Sequence, residues 1–401
     1  MTRRGTDWLS LIRPGDLVVV AQGVGEPTPL LVDLLAAAPA GVEVFVGLSH
    51  SDALTRPTTL PLISFGAMGP LSKPPNRGRV AVIPAHFDDL ARVLPHRGRE
   101  LVVLIQVTEP DADGCHSLGM AVDHTYELMG SARAVVAEVN AQLPVTSAPR
   151  VSGSALDAVV ASSRPLPVIP APRVDERHRQ IAEHVVELIP DGATLQLGIG
   201  AVPSAIGRGL VGRRGLRVRS TLVGDWLLDL ASAGALHAGP DAVIISEAAG
   251  SPELYKHVAG SDVSVRPVRV VAGPVAAGTV EQFVAVNSAL QVDVTGQVNA
   301  EELPGGFVGA IGGQAEYLRA AQRSPGGRSI LALPALAGKG SRIVARLDPP
   351  TVTTARSHVD FIVTEHGVAD LRGRSVSERA ESLIAIAAPE HRRTLREGTQ
   401  W

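Results

Sequence analysis

Three glycine-bearing segments carry residue types that could act on a carbonyl or a phosphate. In Gly309-Ala-Ile-Gly-Gly-Gln-Ala-Glu316, Gly312 and Gly313 stand side by side after a Pro-Gly-Gly turn at 304–306. Adjacent glycines offer backbone N–H donors with no side chain in the way, which is what an oxyanion site needs. The plainer reading is a glycine-rich turn. Thr194-Leu-Gln-Leu-Gly-Ile-Gly-Ala-Val-Pro203 reads as a strand, a glycine turn and the start of a helix. Pro203 suits a first helical turn, where its missing N–H is no loss. Gly198 and Gly200 would let a ligand approach the backbone closely, and the free N–H groups of the helix end could hold an anion. A tight turn with no ligand fits the same residues. Thr364-Glu-His-Gly-Val-Ala-Asp-Leu-Arg-Gly-Arg374 groups Glu365, His366, Asp370, Arg372 and Arg374 around a turn after an apolar run. Ligand crevices of open α/β sheets lie at such strand ends, although a salt-bridged loop would look the same.

A fourth polar turn, Pro110-Asp-Ala-Asp-Gly-Cys-His116, invites a metal reading through Asp111, Asp113 and His116. Asp-x-Asp-Gly is also ordinary turn chemistry, so no metal is expected there. Cys115 is the chain's single cysteine, which rules out an internal disulfide. It reads as a bystander, with no basic partner at a telling spacing.

Short apolar runs alternating with helix-like stretches must position these turns. Strands are predicted at 16–20, 42–47, 79–83 and 101–107, and later at 194–197, 242–245, 283–286, 329–333 and 361–364. Helices are predicted at 28–37, 87–94, 179–189, 205–210 and 377–387. Unbroken Val, Leu and Ile runs predict parallel strands covered on both faces. Four prolines between Ser163 and Arg173 predict an extended connector and a domain boundary.

Bulk properties agree with a well-packed chain. At 401 residues two domains are expected, and 45% hydrophobic against 19% charged residues suffices for sizeable cores. A net charge of −3 gives no bulk attraction for nucleic acid or an anionic membrane, and neither is expected as a partner. No apolar run approaches the roughly 20 residues that span a bilayer, and the first residues lack the apolar stretch of a signal peptide. The cytoplasm is therefore the expected location. Lysine occurs only at 73, 256 and 339, a usage that suggests a GC-rich bacterial gene.

Taken together and in this order, the segments resemble the acetyl-CoA hydrolase/transferase family, which includes 4-hydroxybutyrate and succinate–acetate CoA-transferases. The matching strings are Val24-Gly-Glu-Pro27, Asp113-Gly-Cys-His-Ser-Leu-Gly119, Ala137-Glu-Val-Asn140, Leu195-Gln-Leu-Gly-Ile-Gly200, Val286-Asn-Ser-Ala-Leu290, Val292-Asp-Val-Thr-Gly-Gln297, Ile311-Gly-Gly-Gln314 and Glu365-His-Gly-Val-Ala-Asp-Leu-Arg-Gly373. The resemblance implies two open, mostly parallel-sheet α/β domains of CoA-transferase type, 1–170 and 171–401, with the active site between them. It also implies an acyl-CoA thioester substrate, a small-molecule acceptor, no metal, and an assembly that could be a homo-oligomer. The family's chemistry runs through a glutamate that forms an anhydride and then a glutamyl-CoA thioester, a covalent relay that splits one exchange into easier steps.

One departure stands out. Relatives carry that glutamate in a segment like Arg-Pro-Val-Glu-Tyr-Val-Asn-Asp-Pro, and here the segment is Arg266-Pro-Val-Arg-Val-Val-Ala-Gly-Pro274. Arg269 holds the glutamate's place, eighteen residues before Asn287. A guanidinium stays protonated and cannot be the nucleophile. The family's His-Thr-Glu is likewise Arg219-Ser-Thr221 here. The resemblance then assigns catalytic roles to Gly312 and Gly313 as oxyanion donors and to Glu365 or His366 as general base. It assigns substrate contacts to Arg269, Asn287 and Gln314, and coenzyme A contacts to Gly198, Gly200 and Lys339. Arg269 is expected on an extended segment, buried and aimed at a substrate carboxylate. Three readings stay open: acyl transfer or hydrolysis without the relay, an ordinary transferase using a displaced glutamate such as Glu247 or Glu365, and a non-catalytic protein that binds CoA esters.

Overall fold

The computed structural model describes residues 5–273 and 279–399. Pro274, the last residue of the Arg266 segment, lies outside the described residues. The chain divides into two compact units. The first comprises Met1–Ile169, Ile244–Val271 and Gly306–Gly312; the second comprises Pro170–Val243, Ala272–Gly305 and Gly313–Trp401.

In the first unit seven parallel strands form one sheet: β1 (Leu17–Val20), β2 (Glu43–Phe45), β3 (Leu62–Ser64), β4 (Ala81–Val82), β5 (Leu101–Val107), β6 (Ala134–Asn140) and β7 (Ala158–Ser162). Their spatial order is β4-β3-β2-β1-β5-β6-β7. The order reverses beside β1, so the crevice between the carboxyl ends of β1 and β5 is a topological switch point. All of Leu17–Val20 and Leu101–Val107 is buried, as strands covered on both faces require. Helix α1 (Thr28–Ala37) buries Leu30, Leu31 and Leu34 over β1 and β2, in one cluster with Trp8, Val44 and Leu104. A buried charge also sits in this sheet: Glu138 on β6 is fully covered and takes a two-pronged ion pair from Arg164, with Nε–Oε1 at 2.7 Å and Nη2–Oε2 at 2.8 Å. Such a pair tolerates burial because its lone pairs are filled. Strands Val243–Ala248 and Ser264–Val265 pair in parallel, Ile244 opposite Ser264.

The second unit repeats the plan. Its strands are β8 (Thr194–Leu197), β9 (Arg217–Val223), β10 (Phe283–Asn287), β11 (Arg328–Ala332), β12 (Phe361–Thr364) and β13 (Gly367–Asp370). They run in the order β9-β8-β10-β11-β12-β13, parallel except for the β12–β13 hairpin. The switch point lies between β8 and β10. Helix α2 (Glu176–Glu187) begins with a capping box in which Asp175 and His178 satisfy each other's backbone N–H. Helix α3 (Ala201–Gly209) follows β8, α4 (Gln314–Arg323) follows the Gly312–Gly313 turn, and α5 (Val376–Ala385) packs by its buried Ala380, Leu383 and Ile384. Among the described residues no helix is long and apolar enough to cross a membrane.

One local expectation fails. The segment predicted as extended around Arg269 is a short helix, Val268–Ala272. Pro267 presets the turn, its carbonyl accepting from the N–H groups of Val270 and Val271. Burial of Val268, Val271 and Ala272 overrides the extended preference of three valines.

Candidate functional site

At the switch point of the second unit the chain leaves β8 through Gly198-Ile-Gly200 and enters α3 directly. Gly200 is the N-cap, with φ +114°, a conformation that side-chain-bearing residues rarely adopt. Gly198 and Gly200 both face open space: a Cβ placed on either would have no heavy atom within 4 Å. A cavity of about 310 Å³ opens there. It is lined by the Gly198–Pro203 turn, by Val286, Asn287 and Ser288 at the end of β10, and by His178, Pro334 and Arg342.

Hydrogen bonds fix the turn from behind. Trp226 Nε1 donates to the Gly198 carbonyl at 3.0 Å, and Ser220 Oγ donates to the Leu197 carbonyl at 2.8 Å. Asn287 Nδ2 donates to Gln196 Oε1 at 2.8 Å. Gln314 Nε2 donates to the Ser288 carbonyl at 2.6 Å, and Gln314 Oε1 accepts from Thr354 Oγ1 at 3.0 Å. The side chains of Asn287 and Gln314 are thus held in one orientation by partners on three different segments.

The site is cationic. Burial, and then the neighbouring Arg177, hold the Arg342 guanidinium below the usual arginine range, while Glu365 opposes them. Arg342 donates to the Ala289 carbonyl at 3.0 Å. Glu365 stands at the end of β12, where its Oε2 accepts from the Ala335 N–H at 2.8 Å, next to the cavity-lining Pro334. With the N-terminal N–H groups of α3 on one wall and Arg342 on another, the cavity suits an anionic ligand.

The residues singled out from the sequence are thus distributed unevenly. Gly198, Gly200 and Asn287 line the cavity, while Gln314 and Glu365 hold its walls. His366 is exposed beyond β12, its N–H donated to Thr364 Oγ1 at 3.1 Å. Lys339 is exposed in the turn between strands Leu336–Ala337 and Gly340–Ser341, and its carbonyl lies 3.2 Å from His391 Nε2. The lining cation from that stretch is Arg342, three residues further on. The boundary between the units falls between Gly312 and Gly313. Gly312, φ +56°, gives its carbonyl to the Phe87 N–H at 3.0 Å, and Gly313 caps α4.

Arg269 is not buried; it is exposed on the Val268–Ala272 helix, within electrostatic reach of Asp89 and Glu127 in its own unit. The exposed face of a five-residue helix needs no anion to tolerate a guanidinium, which removes the reason to expect a buried anchor there. Arg266 binds backbone carbonyls of Ser147 and Val265, at 2.9 and 3.1 Å. Thr221 lies near the end of β9, and its N–H donates to the Tyr317 hydroxyl at 2.8 Å. In the Asp111 turn both Asp111 and Asp113 are ion-paired with Arg150, and His116 is buried with Nδ1 2.7 Å from the Thr108 carbonyl.

Sequence reasoning missed Arg342, His178 and the brace from Trp226. It also missed what fills the switch point of the first unit. There the turn after β1 is closed by Glu247, whose Oε1 accepts from the Val24 N–H at 2.9 Å. Burial pushes the Glu247 carboxyl up to about 8; the Val24 N–H pulls the other way and Asp123 adds to the rise. Asp123 in turn accepts from the Gln22 N–H at 2.7 Å.

Comparison with known proteins agrees with this architecture. The model of the acetyl-CoA hydrolase/transferase N-terminal domain matches residues 5–170, and that of the C-terminal domain matches residues 250–399. A 4-hydroxybutyrate coenzyme A transferase of Clostridium kluyveri is 34% identical over 96% of this chain and 94% of its own length. The crystal structure of RipA from Yersinia pestis superposes with a TM-score of 0.88 at 28% identity, covering 98% of this chain and 95% of that one. A 4-hydroxybutyrate CoA-transferase from Porphyromonas gingivalis superposes with a TM-score of 0.79 at 31% identity, covering 98% and 96%. Sequence, fold and both domain models therefore agree, and the chain belongs to the acetyl-CoA hydrolase/transferase family.

Proposed function

We propose that the protein binds an acyl-CoA thioester at the open switch point of its second unit and transfers the acyl group to an acceptor, or hydrolyses it, without a glutamyl-CoA intermediate. The observation that carries the reading is the open cationic cavity at Gly198–Gly200, walled by the start of α3 and by Arg342. A CoA diphosphate is an anion of the kind a helix N-terminus and a guanidinium hold together. Relatives named for CoA transfer and for acetyl-CoA hydrolysis support both outcomes of the reaction.

Residue type supports loss of the relay. The place of the relay glutamate is held by Arg269, and that of the glutamate in the family's His-Thr-Glu by Thr221. The acceptor then attacks the thioester carbonyl directly. Glu365, with one oxygen steadied by the Ala335 N–H, takes the acceptor's proton, and the carbon–sulfur bond breaks to release the CoA thiolate. Asn287 and Gln314 orient the acyl end.

A second reading has one observation in its favour. Glu365 is held beside the cavity wall, where a displaced nucleophile would be placed. Incubation with an acyl-CoA followed by borohydride separates the two, because a glutamyl thioester is reduced and changes the mass of that residue. The expected result is an unchanged intact mass. A modified glutamate, whether Glu365 or any other, would restore the ordinary relay.

A further inference from the structure

A second cavity in the same unit, about 340 Å³, shares no lining residue with the first. It is lined by Asp293, Thr295, Gln297, Arg346, Pro350, Arg356 and the segment between them. The Val292-Asp-Val-Thr-Gly-Gln297 turn forms one wall. Asp293 Oδ1 is saturated from within the turn, accepting from Thr295 N, Thr295 Oγ1 and Gln297 N at 2.9, 2.7 and 3.0 Å.

Arginines complete the lining, and Arg356 Nη1 donates to Thr295 Oγ1 of the turn at 3.3 Å. Arg356 and Arg346 are both exposed in the cavity lining, and a third arginine, Arg379, lies behind. Arg379 Nη1 donates to the Arg356 carbonyl at 2.9 Å. It packs so close to Gly296 that a Cβ there would stand 3.2 Å from Nη1. None of the three makes an ion pair among the described residues. The charge of Arg356 acts on Arg379, which burial and that repulsion together hold below the usual arginine range. Asp360 opposes them, but its oxygens already accept from Gln322 Nε2 at 2.9 Å and from the Ser329 N–H at 3.2 Å. Gln297, which lines the cavity, accepts the Arg356 N–H at its Oε1, and its amide N–H₂ has no partner among the described residues. Two carboxylates bear against an anion here, Asp293, whose hydrogen bonds from the turn all go to Oδ1, and the exposed Asp348 of the neighbouring loop.

We propose that this cavity is a phosphate-binding site, in which the guanidinium groups of Arg346 and Arg356 clasp a phosphorylated small molecule. Planar guanidinium forks match phosphate oxygens two at a time. A bound anion also relieves the repulsion between Arg356 and Arg379. The phosphate could come from a free nucleotide or from the nucleotide end of coenzyme A.

The test is calorimetric titration of the full-length protein with inorganic diphosphate at low ionic strength, repeated with Arg346→Gln and Arg356→Gln. Arg346 makes no hydrogen bond or ion pair among the described residues, so its variant keeps the fold even where Arg356→Gln does not. The proposal expects binding that weakens at least ~10-fold in Arg346→Gln and falls steeply with added salt. Displacement of diphosphate at a lower concentration of coenzyme A than of ADP would assign the phosphate to the coenzyme; displacement at a lower concentration of ADP would assign it to a free nucleotide. No binding to the parent, or equal binding by parent and Arg346→Gln, overturns the site. Equal binding by parent and Arg346→Gln leaves acyl-CoA binding at Gly198–Gly200 standing, and a parallel titration with acetyl-CoA reads that site separately.

Discussion

The two switch points of this protein are built alike and filled differently. In each, a first strand is flanked on both sides by parallel neighbours and runs out into a glycine turn. After β1 the turn is plugged. A Cβ on Gly23 would lie 1.9 Å from Glu247 Oε1, and one on Gly47 would lie 2.0 Å from Gln22 Oε1. After β8 the turn is open, with nothing within 4 Å of a Cβ on Gly198 or Gly200. In the first unit, glycine is required because protein side chains occupy the crevice. In the second it leaves a crevice for something else. The same architecture thus yields a structural plug and a binding site, and the neighbouring side chains decide which.

The contrast can be broken by giving both turns the same change. Gly23→Ala forces a methyl group onto Glu247 from a left-handed backbone position, φ +62°. It should cost about 3 kcal/mol, at the upper end for overpacking a buried site. Gly198→Ala should stay within about 0.5 kcal/mol of the parent, as for a surface change. Chemical denaturation of both variants checks the pair, and equal losses would erase the distinction between plug and pocket.

The plug carries its own pH signature. The folded carboxyl of Glu247 titrates at about 8, above its ordinary 4.5, so the fold holds a proton that the unfolded chain releases. Stability should therefore fall as pH rises from about 4.5 to about 8 and level off beyond, by up to ~1.4 kcal/mol per pH unit inside that window. Glu247→Gln keeps the acceptor for the Val24 N–H and removes the titration. Its melting temperature should exceed the parent's most at pH 8 and least near pH 5. Parallel curves for parent and variant across that range would mean that Glu247 is not buried as described. A smaller effect is expected at the brace behind the open turn. Trp226→Phe deletes the donor to the Gly198 carbonyl and should cost ~1–2 kcal/mol in thermal melts.

How much of this was legible follows from what each segment must bury. The runs Leu17–Val20 and Leu101–Val107 announce themselves, because a strand covered on both faces is apolar along most of its length. Helix α1 was read to the residue. Strand β9 was hidden because Arg217, Arg219 and Thr221 alternate with buried Val218 and Ser220, so no apolar run appears. Strand β6 was hidden by Glu138, whose burial makes sense only once Arg164 is seen beside it. The glycine turn at 198–200 was visible as a local pattern. That the comparable turn at Gly23 is plugged was not, since Glu247 comes 223 residues after the Val24 it binds. The helix carrying Arg269 was misread because three valines favour an extended chain locally, and only tertiary burial reverses that preference.

The most direct test of the central claim is calorimetric titration of acetyl-CoA into the parent and into Gly198→Leu. At Gly198 the backbone accepts a side chain without strain, and the added isobutyl group has only the open cavity to enter. The melting temperature should stay unchanged and binding should weaken at least ~10-fold, a difference of ~1.4 kcal/mol or more. Binding of acetyl-CoA as tight as the parent's, in a variant that melts like the parent, would contradict the central claim.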